Sequence, residues 1–286
     1  MKTTGLTARL QLGFTLLEAI VVMAITGTLA AVVAVFIRTP VEEYFESARR
    51  AEMTDTADTA ARRIARDLRS ALPNSVRVTG ATNNVLEFLS THDGGRYRVN
   101  FGDAGVENTL DFANAADTSF EILGPAVDFL ANDQIVIYNL PEAGADAYTG
   151  NNRRAYTGAV GPQSVASIAA GGFPYDSPTH RFQVVSGPVT YFCDPATGIL
   201  WRYWGYAIQA NQTSVDTLAE LDGLIAPPNA TRGRARLAQN VNCTLSVFEY
   251  RPGVSQTTAL VTIRLGITQA NETISLYHTV HVNNVP

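Results

Sequence analysis

Nineteen consecutive residues, Ala19 to Ile37 (AIVVMAITGTLAAVVAVFI), carry no charge, and no other feature constrains the chain as much. A helix rises about 1.5 Å per residue, so this run spans about 28 Å. A bilayer's hydrocarbon core is about 30 Å thick, which makes the segment a membrane-spanning candidate. Lys2 and Arg9 precede it and no acid lies among residues 1–13, so the expected orientation is N-terminus inside, with the remaining chain translocated. That remainder reads as folded. The 286 residues are 46% hydrophobic and only 16% charged, which argues against disorder and is long enough for a core that needs neither metal nor disulfide.

Neither a secretory signal peptide nor a plain signal anchor accounts for Glu18. A signal peptide's apolar region is about 7–15 residues, shorter than this run. A plain anchor fits the length, but a carboxylate at the apolar boundary is costly and is usually paired.

The string Gly13-Phe14-Thr15-Leu16-Leu17-Glu18 followed by an apolar helix resembles the prepilin signature of type IV pilins and their relatives. The resemblance implies cleavage after Gly13 by a prepilin peptidase and methylation of the new N-terminal Phe14. It also implies that Glu18 pairs with the N-terminal amine of a neighbouring subunit, since an amine packed among apolar helices needs an opposite charge. Gly27 falls where pilins usually carry a glycine. Val35 departs from the pattern, because many major pilins have a proline there; here the nearest is Pro40.

From Arg38 to about Leu72 the chain reads as an amphipathic helix. Met53, Ala57, Ala60, Ile64 and Leu68 form one apolar stripe. Glu46–Arg50 and Asp58–Arg62 are i,i+4 pairs. Pro73 is expected to stop the helix, and Pro40 to kink it or mark its middle. Arg49, Arg50, Arg62, Arg63, Arg66 and Arg69 lie largely off the stripe. Interleaved acids, and a net charge of −5, make them a solvated, salt-bridged face rather than a nucleic-acid surface.

Beyond Asn74 period-two patterning predicts strands at Val85–Leu89, Tyr97–Phe101, Gln134–Leu140, Phe182–Cys193, Leu200–Ala207, Thr244–Tyr250, Ala259–Ile267 and Glu272–Val282. Asp194-Pro195-Ala196-Thr197-Gly198 is turn chemistry joining two antiparallel strands. Residues 142–177 read as a long surface loop, and residues 208–240 as a second polar excursion with a short helix near Val215–Leu221. A long helix followed by antiparallel sheet gives an α+β fold. The resemblance adds the pilin ladle, with a helical handle and a β-rich head. The expected divisions are a leader (1–13), a membrane or filament-core helix (14–38), its amphipathic continuation (39–73) and the head (74–286).

Cys193 and Cys243 are the only cysteines. In a translocated domain two cysteines most simply form one disulfide; a redox or metal pair lacks CxxC spacing or clustered partners. His278 and His281 are three apart in a predicted strand and so face opposite sides, which is wrong for chelation. His92 and His180 have no ligand-like context, and Asp133, Asp176 and Asp194 form no EF-hand spacing. GxSxG, HExxH, P-loop and GxGxxG motifs are all missing from the sequence, so no catalytic residue, metal or cofactor is expected. Arg232, Arg234 and Arg236 would make one basic strand edge. That edge either protects against unwanted pairing or contacts a subunit or DNA.

Residues 62–78 (RRIARDLRSALPNSVRV), 189–206 around Cys193 and 278–286 (HTVHVNNVP) are similar to minor pilins of the mannose-sensitive haemagglutinin (MSHA) type of pilus. This implies a non-enzymatic subunit of the bacterial inner membrane, with a periplasmic head, that later joins a pilus at the cell surface. Its partners would be other pilins and the prepilin peptidase. A minor pseudopilin of a type II secretion system, or a tip protein binding surfaces or DNA, shares the same signature. A membrane-anchored enzyme or receptor does not explain Gly13–Glu18.

Overall fold

A computed structural model describes residues 13–80, 82–102, 105–245, 247–252 and 257–286. Residues 1–12 of the expected leader lie outside the described residues. The chain divides into two compact units, Met1–Glu52 and Met53–Pro286. Helix α1 runs from Leu16 to Leu68, with Pro40 inside it.

Within the first unit every residue from Gly13 to Arg38 is exposed. A helix apolar all round has no face to give to water and calls for lipid or other apolar helices around it. The two threonines of the run Ala19–Ile37 leave no hydroxyl unsatisfied: Thr26 Oγ1 donates to the Val22 carbonyl at 2.7 Å and Thr28 Oγ1 to that of Ala24 at 3.0 Å. Such back-bonding is how a hydroxyl is accommodated without water.

The second unit is built on antiparallel strands. In chain order these are β1 (Arg77–Thr79), β2 (Val85–Tyr97), β3 (Ser119–Leu123), β4 (Val127–Phe129), β5 (Gln134–Ile137), β6 (Arg153–Ala155), β7 (Gly161–Gln163) and β8 (Val165–Ser167). They continue with β9 (Arg181–Asp194), β10 (Ile199–Trp204), helix α2 (Leu218–Ile225), β11 (Gly233–Ala238), β12 (Val247–Pro252), β13 (Thr258–Gln269) and β14 (Glu272–Asn283). The main sheet has the path β11-β10-β9-β2-β3-β8, with β1, β5 and β6 attached to it. A second sheet is β12-β13-β14, and β4 pairs with β7.

The amphipathic stripe explains the main core. Met53, Ala57, Ala60, Ile64 and Leu68 are buried, and they pack with Leu86, Phe88, Val189 and Tyr191 of the main sheet and Val261, Ile263 and Leu265 of the second. Period-two alternation sends the next residues, Val85 and Phe192, to the opposite face of the main sheet. There they meet Leu221 and Ile225 of α2. Thr217 and Glu220 close a capping box at the start of α2, which fixes where it begins.

Several expectations need correction. The helix ends at Leu68 rather than Leu72, because the chain leaves it to pair with β2: Ala71 bridges Ser90, and Leu72 N donates to the Leu89 carbonyl at 2.8 Å. Residues 97–101 are no strand; Tyr97 is instead the last residue of a longer β2. β10 stops at Trp204, where Gly205 adopts φ 74°, and β5 stops at Ile137, before Tyr138 at φ 51°. The stretch 142–177 contains β6, β7 and β8, and 208–240 contains α2 and β11.

Candidate functional site

Thr15 opens α1 as its N-cap, its Oγ1 accepting from the Glu18 backbone N–H at 3.2 Å. Glu18 therefore sits in the first helical turn, where the helix dipole favours a carboxylate. Phe14 is 80% exposed, and Leu16, Leu17, Ile20 and Val21 after it are exposed as well. Among the described residues this acid, at the start of an uncovered apolar rod, has no side-chain partner.

In the second unit Cys193 and Cys243 are joined by a disulfide with a Cα–Cα distance of 5.6 Å, and both residues are buried in the main core. Cys193 lies on β9, while Cys243 lies in the turn before β12. His278 and His281 lie on opposite faces of β14. His92 contacts Ser186 and Asp128, and His180 contacts Asp176 at 3.1 Å. Among the described residues no group of three or more His, Cys, Asp or Glu side chains is arranged to hold a metal ion.

The arginines of residues 49–66 are placed by helical spacing, and their partners differ. Arg62 pairs with Asp58 at 2.6 Å, and Arg63 with Asp67 at 3.1 Å. Arg234 lies on β11, at the edge of the main sheet, where it binds Asp222 at 2.7 Å and stacks on Trp201.

A buried polar cluster escaped the sequence reading. Glu87 is fully buried on β2, accepts from Arg77 Nε at 2.7 Å and from Tyr206 Oη at 2.8 Å, and lies beside the Tyr148–Arg77 stack. Burial raises the Glu87 carboxyl above the ordinary glutamate value, against the opposing pull of Arg77. The available signal was a glutamate inside the apolar run Val85–Leu89.

Residues 8–34 match the prokaryotic N-terminal methylation motif. The chain carries a prepilin-type N-terminus. This match supports a type IV pilin-like prepilin, a structural kind of protein, processed by a prepilin peptidase and assembled with other pilins. No curated protein and no solved structure matches the chain. Helix α1 is long and apolar enough to cross a membrane, in keeping with anchoring before assembly.

Proposed function

We propose that the chain is a minor pilin of an MSHA-type pilus, resembling the biogenesis protein MshO, and that it primes assembly or sits at the filament tip. In this reading the peptidase cuts between Gly13 and Phe14, Phe14 is methylated, and Glu18 pairs with a neighbour's N-terminal amine. The protein begins as a single-pass inner-membrane subunit with a periplasmic head. One observation carries the reading: the methylation motif leads into α1, whose apolar stretch Ala19 to Ile37 is exposed along its whole length. The resemblance of residues 62–78, 189–206 and 278–286 to the MSHA type supports the subfamily. A minor pseudopilin of a type II secretion system shares the motif.

Gold labelling of sheared filaments tests the choice. Label on MSHA pili, at the tip or along the shaft, is expected. Label confined to membranes carrying a type II secretion apparatus would select the pseudopilin.

A further inference from the structure

Ser186 and His92 are the residues that the pairing of β2 with β9 leaves over. Ser90 faces Gly187, Thr91 faces Val185 and Asp93 faces Val184, so each strand carries a bulge and the two bulges lie side by side. A bulge re-aims a side chain out of the regular alternation. Here it brings the exposed Ser186 Oγ to 2.8 Å from His92 Nδ1. On the other side of β9, Gln134 of β5 pairs with Val185, which sets Asp133 next to this site. Asp133 is buried, and its Oδ2 lies 3.4 Å from His92 Nε2.

The hydrogen bonds settle where the protons sit. His92 Nε2 is 3.1 Å from the Asp128 carbonyl oxygen, which can only accept, so Nε2 carries a proton. Nδ1 of the neutral ring is then bare and accepts from the Ser186 hydroxyl. Both groups behind the ring are held in turn. The Asp128 N–H donates to Asp93 Oδ2 at 2.8 Å, and the Leu130 N–H donates to Asp133 Oδ2 at 2.6 Å. A hydroxyl on a base, with that base oriented from behind beside a carboxylate, is the arrangement that activates a nucleophile. An exposed hydroxyl that merely needed a partner would find one in water, without a matched pair of bulges.

Ser186 also lines a cavity of about 630 Å³, a volume that suits a small ligand. Asn132, Gln134 and Arg153 share that lining, and Arg153 Nε is buried with no hydrogen-bond partner among the described residues. These are donors, the groups that a carbonyl oxygen gaining negative charge requires.

We propose that Ser186 is a nucleophile for carboxylic esters with a small acyl group, with His92 as its general base and Asp133 stabilising the protonated ring. Ser186 Oγ attacks the carbonyl carbon while its proton passes to His92 Nδ1. The bond from that carbon to the alcohol oxygen breaks, and Nδ1 gives the proton to the departing alkoxide. Water, deprotonated by the same Nδ1, then releases the acid and restores the serine. The sequence carries no GxSxG motif, and none is needed: these residues come from two strands and the turn before β5, and geometry rather than chain order defines such a site. The proposal rests on the second unit alone, so its failure would leave the pilin reading untouched.

Full-length protein in detergent is treated with an alkyl fluorophosphonate, whose phosphorus takes the place of the acyl carbon, and the labelled residue is read by peptide mass spectrometry. Hydrolysis of p-nitrophenyl acetate is followed in parallel. Label on Ser186 of the folded protein and turnover of the ester are expected. Ser186→Ala should abolish both. His92→Gln should slow labelling of Ser186 about a hundredfold, the share a general base contributes. Ser275→Ala, at an exposed serine on β14, should leave both unchanged. No label on Ser186, equal labelling after unfolding in urea, parental labelling in His92→Gln, or undiminished turnover in Ser186→Ala would overturn the proposal.

Discussion

Asp67, in the last turn of α1, is ion-paired to Arg202 on β10 at 2.7 Å. The same carboxylate oxygen accepts from Tyr191 Oη on β9 at 2.8 Å, and the other faces Arg63 at 3.1 Å. One side chain thus ties the end of the helix to two strands of the main sheet, at a site where Asp67 is only 12% and Arg202 19% exposed. Removing one partner of such a pair leaves the other charge and a buried hydroxyl unmatched. Asp67→Ala should therefore destabilise the second unit by about 3 kcal/mol. Calorimetry of the detergent-solubilised full chain should show a melting temperature lower by roughly 6–12 °C. Adding Arg202→Met should recover part of that loss, because the stranded charge is then gone.

The disulfide encloses a sequence separation of 50 residues, and a loop of that size contributes about 4 kcal/mol in the chain-entropy model. Cys193→Ser/Cys243→Ser should melt lower than the parent under oxidising conditions and match it closely under full reduction. A thiol assay showing free cysteines in native oxidised protein would remove the basis of this prediction.

Glu87 makes stability depend on pH in an unusual direction. Its folded-state pKa is raised by burial, so between the ordinary glutamate value and that raised value the folded chain keeps a proton that the unfolded chain has lost. Folding then takes up protons, and stability falls as pH rises through that window. Below the window, with both states protonated, the penalty vanishes. Glu87→Gln should flatten this part of the profile, as read by denaturant midpoints from acid to neutral pH, while retaining a polar group for Arg77 and Tyr206.

The helix and the long strands were legible because each has one dominant period. The stripe Met53–Leu68 follows 3.6-residue spacing, β13 and β14 alternate over most of their length, and the second half of β9 is an apolar run buried on both faces. β2 runs past its expected end at Leu89, through Gly94 and Gly95. They continue the strand because β9 lies close against them: a Cβ on Gly94 would stand 2.8 Å from the Phe182 carbonyl oxygen. β6, β7 and β8 have three residues each, too few to show any period. The Glu87 cluster was illegible for another reason. Arg77, Tyr148 and Tyr206 are separated in sequence and gather around Glu87 only once β1 pairs with β2 and β2 with β9.

Processing at Gly13 makes a prediction about charge and mass. The leader carries Lys2 and Arg9, two positive charges, so the net charge moves from −5 to −7 on their loss. Mass spectrometry of assembled material should find Phe14 first, with a methyl group on its amine. Intact Met1, or a cut near Ala30–Ala34, would rule out prepilin processing.

Glu18 separates a filament subunit from a plain anchor. Alone, its position in the first turn of α1 makes it a helix-terminal acid, a role worth about 0.5 kcal/mol that tolerates replacement. Membrane insertion and cleavage should therefore survive Glu18→Ala. In a filament the same side chain would be enclosed by apolar helices, where an unpaired charge costs several kcal/mol. A neighbour's Phe14 amine offsets that cost in one axial register, so the pair would act as a registration device. Glu18→Ala should leave processed protein in the membrane and reduce its incorporation into filaments. Glu18→Gln should behave similarly, because a neutral amide supplies no charge to the amine, even though it preserves size and hydrogen bonding. Quantitative crosslinking between neighbouring subunits reads this out. Unchanged crosslinking in both variants would place the chain at the extreme tip, with no subunit above it, or would leave α1 as an anchor alone.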